Sequence, residues 1–293
     1  MRILILYNLY MQARSHPIAS NPCAPVARTK PLASGSTIAG SRRVNILGVG
    51  VSPINMDQAV GEIEGWIAER RSHYVCITNI HGIVESQRDE GLRQIHNAAG
   101  LVTPGGMPLV WATHLFGFPH VERVYSPDLV LAMCERSVAR GFRHYFFGGA
   151  PGVAGQMADC LRQRFPGLAV AGTYAPPFHP LTAEDDDRIV RAINRARPDI
   201  VWVGLSTPKE ERWMAAHIGR VNAAALIGVG AAFDFLSGAK RQAPRWMQRS
   251  GLEWFFRVAI EPRRLWRRYA TNIPAFLGLF LAQVTGLRRY GVD

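Results

Sequence analysis

The chain has 293 residues, is 48% hydrophobic and 19% charged, and sets 34 Lys and Arg against 22 Asp and Glu for a formal charge of +12. This composition supports a packed core and excludes a disordered or fibrous protein, and the length admits one large α/β domain or two smaller ones. Residues 1–43 carry +6, residues 44–239 carry −2 and residues 240–293 carry +8, which excludes a nucleic-acid enzyme with basic groups spread over a folded face and points to a membrane surface or a phosphorylated substrate at one end.

Residues 1–43 mix Pro, Ser, Ala, Gly and Arg without periodicity and read as a flexible leader. Its apolar stretch over 4–10 lacks the charged flank and small-residue cleavage site of a secretory signal, so a cytoplasmic chain is expected. Residues 44–239 form the predicted body. An apolar run over 44–51 reads as a first strand, and Asn55 as the N-cap of an amphipathic helix over 56–71. Short apolar strands are predicted over 74–78, 142–147, 169–174, 200–205 and 224–229, with helices over 127–140, 153–164, 183–197 and 208–220 between them. Continuous apolar strands alternating with helices predict an α/β fold: a mostly parallel sheet with helices on both faces. No internal repeat is visible.

Residues 240–293 change character. Trp246, Trp254, Phe255, Phe256, Trp266 and Tyr269 interleave with Arg245, Arg249, Arg257, Arg263, Arg264, Arg267 and Arg268. Pro262 divides the segment, predicting two short amphipathic helices suited to an interface or to docking on the body. The apolar run over 273–284 would reach only about 18 Å as a helix, too short to span a bilayer.

In a parallel sheet, ligands bind beyond the carboxyl ends of the strands. There the chain offers Gly148, Gly149, Ala150, Pro151 and Gly152 at a helix start, where backbone N–H groups could meet a phosphate or a tight turn could form. A weaker turn of the same kind holds Gly228 and Gly230. Thr207, Pro208 and Glu210 fit a capping box opening a helix. Asp185, Asp186 and Asp187 follow Thr182 and suit a helix N-terminus better than a metal. The nine histidines show no metal-ligand spacing, and Cys23, Cys76, Cys134 and Cys160 form no CxxC pair. No metal or cofactor is therefore expected.

The order of phrases is more specific than any one of them. Thr78 to His81, residues 101–108 with Pro104, Gly105 and Gly106, residues 121–125 with Arg123, the glycine run at 148–152, residues 204–213, residues 228–238 and the span from Gly251 to Arg264 together resemble the WecG/TagA/CpsF family, glycosyltransferase family 26. The resemblance covers about residues 44–270. It implies a Rossmann-like body and a C-terminal helical basic appendage that meets the membrane and lends arginines to the site. It also implies inverting, metal-independent transfer of a sugar, often N-acetylmannosamine, from a UDP-sugar to an undecaprenyl-diphosphate-linked acceptor. Such a protein would sit peripherally on the cytoplasmic face of the inner membrane, and a homo-oligomer is left open.

Carried over residue by residue, the resemblance places Thr78, Asn79, His81, Arg123 and Asp128 at the catalytic centre. Gly148, Gly149, Gly152, Gly204, Thr207, Glu210, Gly228 and Gly230 fall on the donor side, and Arg263, Arg264, Arg267 and Arg268 face the acceptor diphosphate. The family's base is the Asp of a Pro-Asp-Gly turn, and this chain has Gly105 there. Ile80 stands where the family has Asn, Ser126 where it has Gly, and Glu210 where it has Gln. Two readings follow: an active transferase, either with His81, Asp128 or Glu122 as a substitute base or activating the acceptor without a side-chain base, or an impaired relative that binds nucleotide or lipid phosphate as a partner protein. A dinucleotide oxidoreductase lacks its GxGxxG turn. On the first reading, Gly105→Asp is expected to raise turnover by restoring the base.

Overall fold

The computed structural model describes residues 43–177 and 181–292. The leader expected over 1–43 lies outside the described residues except for Arg43, whose guanidinium bonds the Asn97 carbonyl at 3.0 Å. The apolar run 44–51 is not one strand but a hairpin of β1 (Val44–Ile46) and β2 (Val49–Val51). Asn45 Oδ1 accepts the Gly48 N–H at 2.8 Å and so turns the chain.

The body follows as α1 (Met56–Glu69), β3 (His73–Thr78), α2 (Ile80–Arg88), α3 (Glu90–Ala98), β4 (Leu101–Pro104), α4 (Met107–Leu115), α5 (Ser126–Arg140), β5 (Arg143–Gly148), α6 (Val153–Arg164), β6 (Ala169–Tyr174), α7 (Ala183–Ala196), β7 (Ile200–Gly204), α8 (Lys209–His217), β8 (Ala225–Gly228) and α9 (Ala232–Leu236). Asn55 caps α1 as expected, in a capping box with Gln58 whose two bonds are each 3.0 Å. Asp185 makes the same box with Thr182 at the start of α7. Asp186 instead pairs with His217 and Arg220.

Strands β3 to β8 form one parallel sheet in the order β4-β3-β8-β7-β5-β6. Both faces are covered, because alternate side chains enter different cores. Phe146, Trp202 and Ile227 pack with α1, α5 and α6 on one face. Tyr145, Phe147, Val201, Val203 and Leu226 pack with residues of α2, α7 and α8 on the other. Phe146, Phe147 and Trp202 are completely buried, each contributing about 1.5–3 kcal/mol or more.

The C-terminal segment forms α10 (Arg245–Arg249), α11 (Glu253–Ile260) and α12 (Pro262–Val284). Pro262 does divide the segment, but the helix after it is long, at 23 residues. Proline at the first helical position costs no hydrogen bond, so it opens α12 without limiting it. Leu265, Asn272 and Phe276 are buried along one stripe of α12. Phe276 joins the core below α2, and Asn272 Nδ2 lies 2.9 Å from His81 Nδ1. Near its end, Gln283 bonds both Leu47 N and Asn45 O at 3.0 Å, tying the helix to the first hairpin. Among the described residues, no helix is long and apolar enough to cross a membrane.

Candidate active site

The carboxyl ends of β3, β4, β5, β7 and β8 open into a cavity of about 700 Å³, lined by Asn79, Gly105, Gly149, Gly204 and Gly230 among others. Its other wall is the C-terminal segment, which contributes Glu253, Arg257, Arg264 and Arg268. This is where a parallel sheet presents a ligand site.

The floor is largely occupied with holding itself together. Strands β5 and β7 meet at Gly148 and Gly204. Gly148 has φ +133°, and a Cβ there would lie 2.5 Å from the Gly204 carbonyl oxygen, so only glycine lets the backbones approach this closely. The Gly149 N–H is spent on Gly204 O at 3.0 Å. The glycine run is thus a packing device, and its Gly149 and Ala150 reach the cavity while Gly148 and Gly152 do not line it.

After β7 the expected capping box at Thr207 does not form. Helix α8 begins at Lys209 with Pro208 before it and no side-chain cap. Glu210 reaches one residue further back and takes the Ser206 N–H at 2.8 Å and the Gly230 N–H at 3.1 Å on one oxygen. Thr207 donates instead to Glu211 Oε1 at 2.7 Å. Both carboxyls are buried side by side. Burial first, and the neighbouring Glu211 second, hold the Glu210 carboxyl well above the usual range, against the pull of its backbone donors. The site therefore presents a residue that burial drives toward the neutral acid, closer to an amide than its sequence suggests.

Arg123 sits at the join of floor and wall. Its Nε donates to Gly105 O at 2.8 Å, and a second nitrogen reaches Gln248 O at 3.3 Å. The third is in an ion pair with Glu253, and the guanidinium lies 4.0 Å from the Tyr125 ring centroid. Tyr125 donates to the other Glu253 oxygen at 3.2 Å. Neither Glu253 nor Arg257, which also lines the cavity, stands out in the sequence as a site residue. Glu253 looks like an ordinary first-turn acid of a helix, and Arg257 is one of seven arginines in its stretch; only the fold turns them inward.

The cations differ in how far they are committed. Arg264 is paired with Glu261, and Lys240 bridges Asp234 at 2.7 Å and Glu261 at 3.0 Å. Arg257 only overlies the Phe235 ring, 5.8 Å from its centroid. Among the described residues, the charged ends of Lys209, Arg257 and Arg268 have no ion-pair partner, although all three line the cavity. Burial draws the Arg268 guanidinium below its ordinary value, a desolvation that a bound anion would offset.

The remaining sequence candidates divide clearly. Asn79, Thr207 and Gly230 line the cavity, and Asn79 also caps α2 by accepting the His81 N–H at 2.9 Å. The Thr78 side chain is buried beneath α2, where a Cβ on Gly82 would strike its Oγ1. Gly228 packs against Met214 and Glu210. His81 lies off the cavity lining, and burial, with Arg268 and Arg88 nearby, lowers it to about 4, a weak base at neutral pH. Asp128 is held by Arg245 at 2.8 Å outside the lining, and Glu122 is exposed. Arg263 and Arg267 face solvent, the latter 5.6 Å from the Trp266 ring centroid. Among the described residues no cluster of three or more His, Cys, Asp or Glu could hold a metal ion.

Three curated relatives share one description. The N-acetylglucosaminyldiphosphoundecaprenol N-acetyl-beta-D-mannosaminyltransferase of Staphylococcus aureus strain MRSA252 is 26% identical over 238 residues, covering 80% of this chain and 91% of the relative. The proteins of the same description from strains NCTC 8325 / PS 47 and COL are 24% identical over 237 residues, covering the same shares. Residues 44–290, from the first hairpin through α12, match the Glycosyl transferase WecG/TagA/CpsF family, and the chain belongs to that family.

Proposed function

We propose that this protein transfers a hexose, of the N-acetylmannosamine type, from a UDP-sugar to a polyprenyl-diphosphate-linked sugar. The observation that carries this reading is the set of uncommitted cations Lys209, Arg257 and Arg268 around a cavity at the carboxyl ends of the strands. A leaving diphosphate gains negative charge as its bond to the sugar breaks, and fixed cations in a partly dry site stabilise that charge most as it develops. The transfer is a single inverting displacement that dispenses with a metal. The acceptor chemistry comes from the relatives, whose description specifies a diphosphoundecaprenol-linked sugar.

The acceptor's lipid would lie in the cytoplasmic leaflet of the inner membrane, and the C-terminal segment is suited to meet it. Trp246, Trp254, Phe255, Ile260, Trp266, Leu277 and Leu281 are exposed on α10, α11 and α12, with Arg263 and Arg267 among them. Apolar groups beside arginines suit peripheral binding to an anionic surface. The same wall lines the cavity, so the protein would take a lipid-linked acceptor without extracting it far from the bilayer.

A panel of UDP-sugars with a lipid-diphosphate-linked N-acetylglucosamine acceptor tests the reading. Release of UDP together with a longer lipid-linked glycan supports it. The second reading, a binding protein without turnover, is favoured by Gly105 standing at the place of the family's base. UDP binding without transfer to any acceptor would select that reading.

A further inference from the structure

We propose that Glu253 is the general base of the transfer, freed for that task when the donor's diphosphate takes its place on Arg123. The inference rests on the transferase reading and supplies what that reading lacks.

Position 105 is crowded for a side chain. A Cβ on Gly105 would lie 2.8 Å from Ile77 Cγ2 and 3.0 Å from the Thr78 carbonyl oxygen, and the Gly105 N–H is bonded to that same oxygen at 2.7 Å. Glycine brings no carboxylate to this place and the floor crowds one, so a side-chain base for the transfer comes from elsewhere. The carboxylates lining the cavity among the described residues are Glu210, Asp234 and Glu253. Glu210 is fixed in the floor by two backbone N–H groups, and Asp234 is held by Lys240. Neither bonds Arg123, the side chain that holds the Gly105 carbonyl.

Glu253 is linked to Gly105 through Arg123. One guanidinium separates the two: Arg123 bonds the Gly105 carbonyl with Nε and Glu253 with its far nitrogen. The Glu253 side chain is 13% exposed, enough to reach a ligand and little enough to be positioned. Its partners, Arg123 and the Tyr125 hydroxyl, hold it at the cavity wall without enclosing it. Diphosphate competes for Arg123 with more oxygens and more charge than one carboxylate, and bidentate phosphate recognition is what a guanidinium does best. Once the donor is bound, a Glu253 oxygen is available to the acceptor hydroxyl.

The step balances without a further reagent. The acceptor hydroxyl gives its proton to Glu253, and its oxygen lone pair forms the bond to the sugar's anomeric carbon. The bond from that carbon to the diphosphate breaks with its electron pair on oxygen. UDP leaves as an anion held by Arg123, Arg257 and Arg268, and Glu253 later returns its proton to water.

The test uses the full chain, a UDP-sugar that it turns over and the lipid-linked acceptor. Glu253→Gln keeps the shape of the side chain and one of its two acceptor oxygens but cannot take the proton. Its kcat should fall about 10²–10⁴-fold, with the Kd for UDP within roughly threefold and the melting temperature unchanged. Formate added to Glu253→Ala should restore part of the turnover and should not stimulate the natural chain. Undiminished kcat in Glu253→Gln overturns the proposal. So does a loss of UDP affinity as large as the loss of turnover, which would make Glu253 only a brace for Arg123. A natural chain that turns over no UDP-sugar in the panel removes the transferase reading and this base with it, whereas turnover insensitive to position 253 removes the base alone.

Discussion

The two walls of the cavity are built differently. Apart from Lys209, the sheet-side floor meets its polar groups internally: Gly149 N–H on Gly204 O, Gly105 N–H on Thr78 O, and Glu210 on the N–H groups of Ser206 and Gly230. The helical wall leaves charge unspent in Arg257 and Arg268 and holds Glu253 in an ion pair with Arg123. Floor groups therefore mostly fix the shape of the site, while Lys209 and groups from the C-terminal segment are left to act on a ligand. On the proposed reading, this segment, which also exposes apolar side chains, would couple membrane contact to the chemistry.

If the wall does the binding, its arginines should dominate ligand affinity. Charge-assisted hydrogen bonds contribute about 1.5–3 kcal/mol each, so Arg257→Ala with Arg268→Ala should weaken UDP or lipid-diphosphate binding by roughly 10²–10⁴-fold in calorimetric titration. The exposed pair Arg263→Ala with Arg267→Ala should leave soluble UDP affinity nearly unchanged. Equal losses in the two double variants would erase the distinction between inward and outward arginines.

The floor should respond in stability where the wall responds in binding. Gly105→Asp, expected from the sequence to raise turnover, instead forces a Cβ into Ile77 and the Thr78 carbonyl. Overpacking of this kind costs about 1–3 kcal/mol, so denaturant unfolding should show a less stable protein with no gain in kcat. A Gly105→Asp protein as stable as the natural chain and faster in turnover would show that the floor yields and that position 105 remains the seat of the base.

The outer stripe of the wall should respond to lipid alone. Trp266→Ser with Leu281→Ser removes two side chains that are 51% and 63% exposed, so the fold should survive. Flotation on anionic vesicles should fall about tenfold, while salt should weaken the natural protein's binding through Arg263 and Arg267, each contributing about 1 kcal/mol near such a surface. Undiminished flotation would place the lipid contact elsewhere.

The inner strands were legible because they are buried on both faces and therefore read as continuous apolar runs, as β7 (Ile200–Gly204) does within the run at 200–205; the edge run at 169–174 matches β6 (Ala169–Tyr174) although it is only half-buried, and the short edge strand β4 (Leu101–Pro104) was not read from the sequence. Nor was the hairpin at 44–51, because an apolar run carries no mark of the bond from Asn45 to Gly48 that reverses it. Resemblance located Arg123 and the tail arginines, but local spacing cannot tell Arg257 and Arg268, which turn inward, from Arg263 and Arg267, which turn out. Only the packing of Leu265, Asn272 and Phe276 sets the rotation of α12. Glu253 was hidden for a related reason: its partner Arg123 lies 130 residues away in sequence.

The smallest effect, and the one that probes the floor most finely, belongs to Glu210. An unfolded chain ionises this carboxyl at its ordinary value near 4.5, whereas the folded protein keeps the proton to higher pH because the group is buried beside Glu211. Between those two points the folded state binds more protons than the unfolded state, so stability falls as pH rises from about 4.5 through the folded value. Glu210→Gln removes that loss, because the amide oxygen still accepts from Ser206 and Gly230 and no charge has to be buried. The variant should match the natural protein near pH 4.5 and melt higher at pH 7–8, by about 2–4 °C for each kcal/mol relieved. Donor affinity should change little at the acid end, where Glu210 is already neutral, and should rise in the variant at the alkaline end, where a carboxylate would repel diphosphate. A melting difference that is the same at every pH would mean that Glu210 does not titrate across this range and that its charge is held by the backbone donors alone.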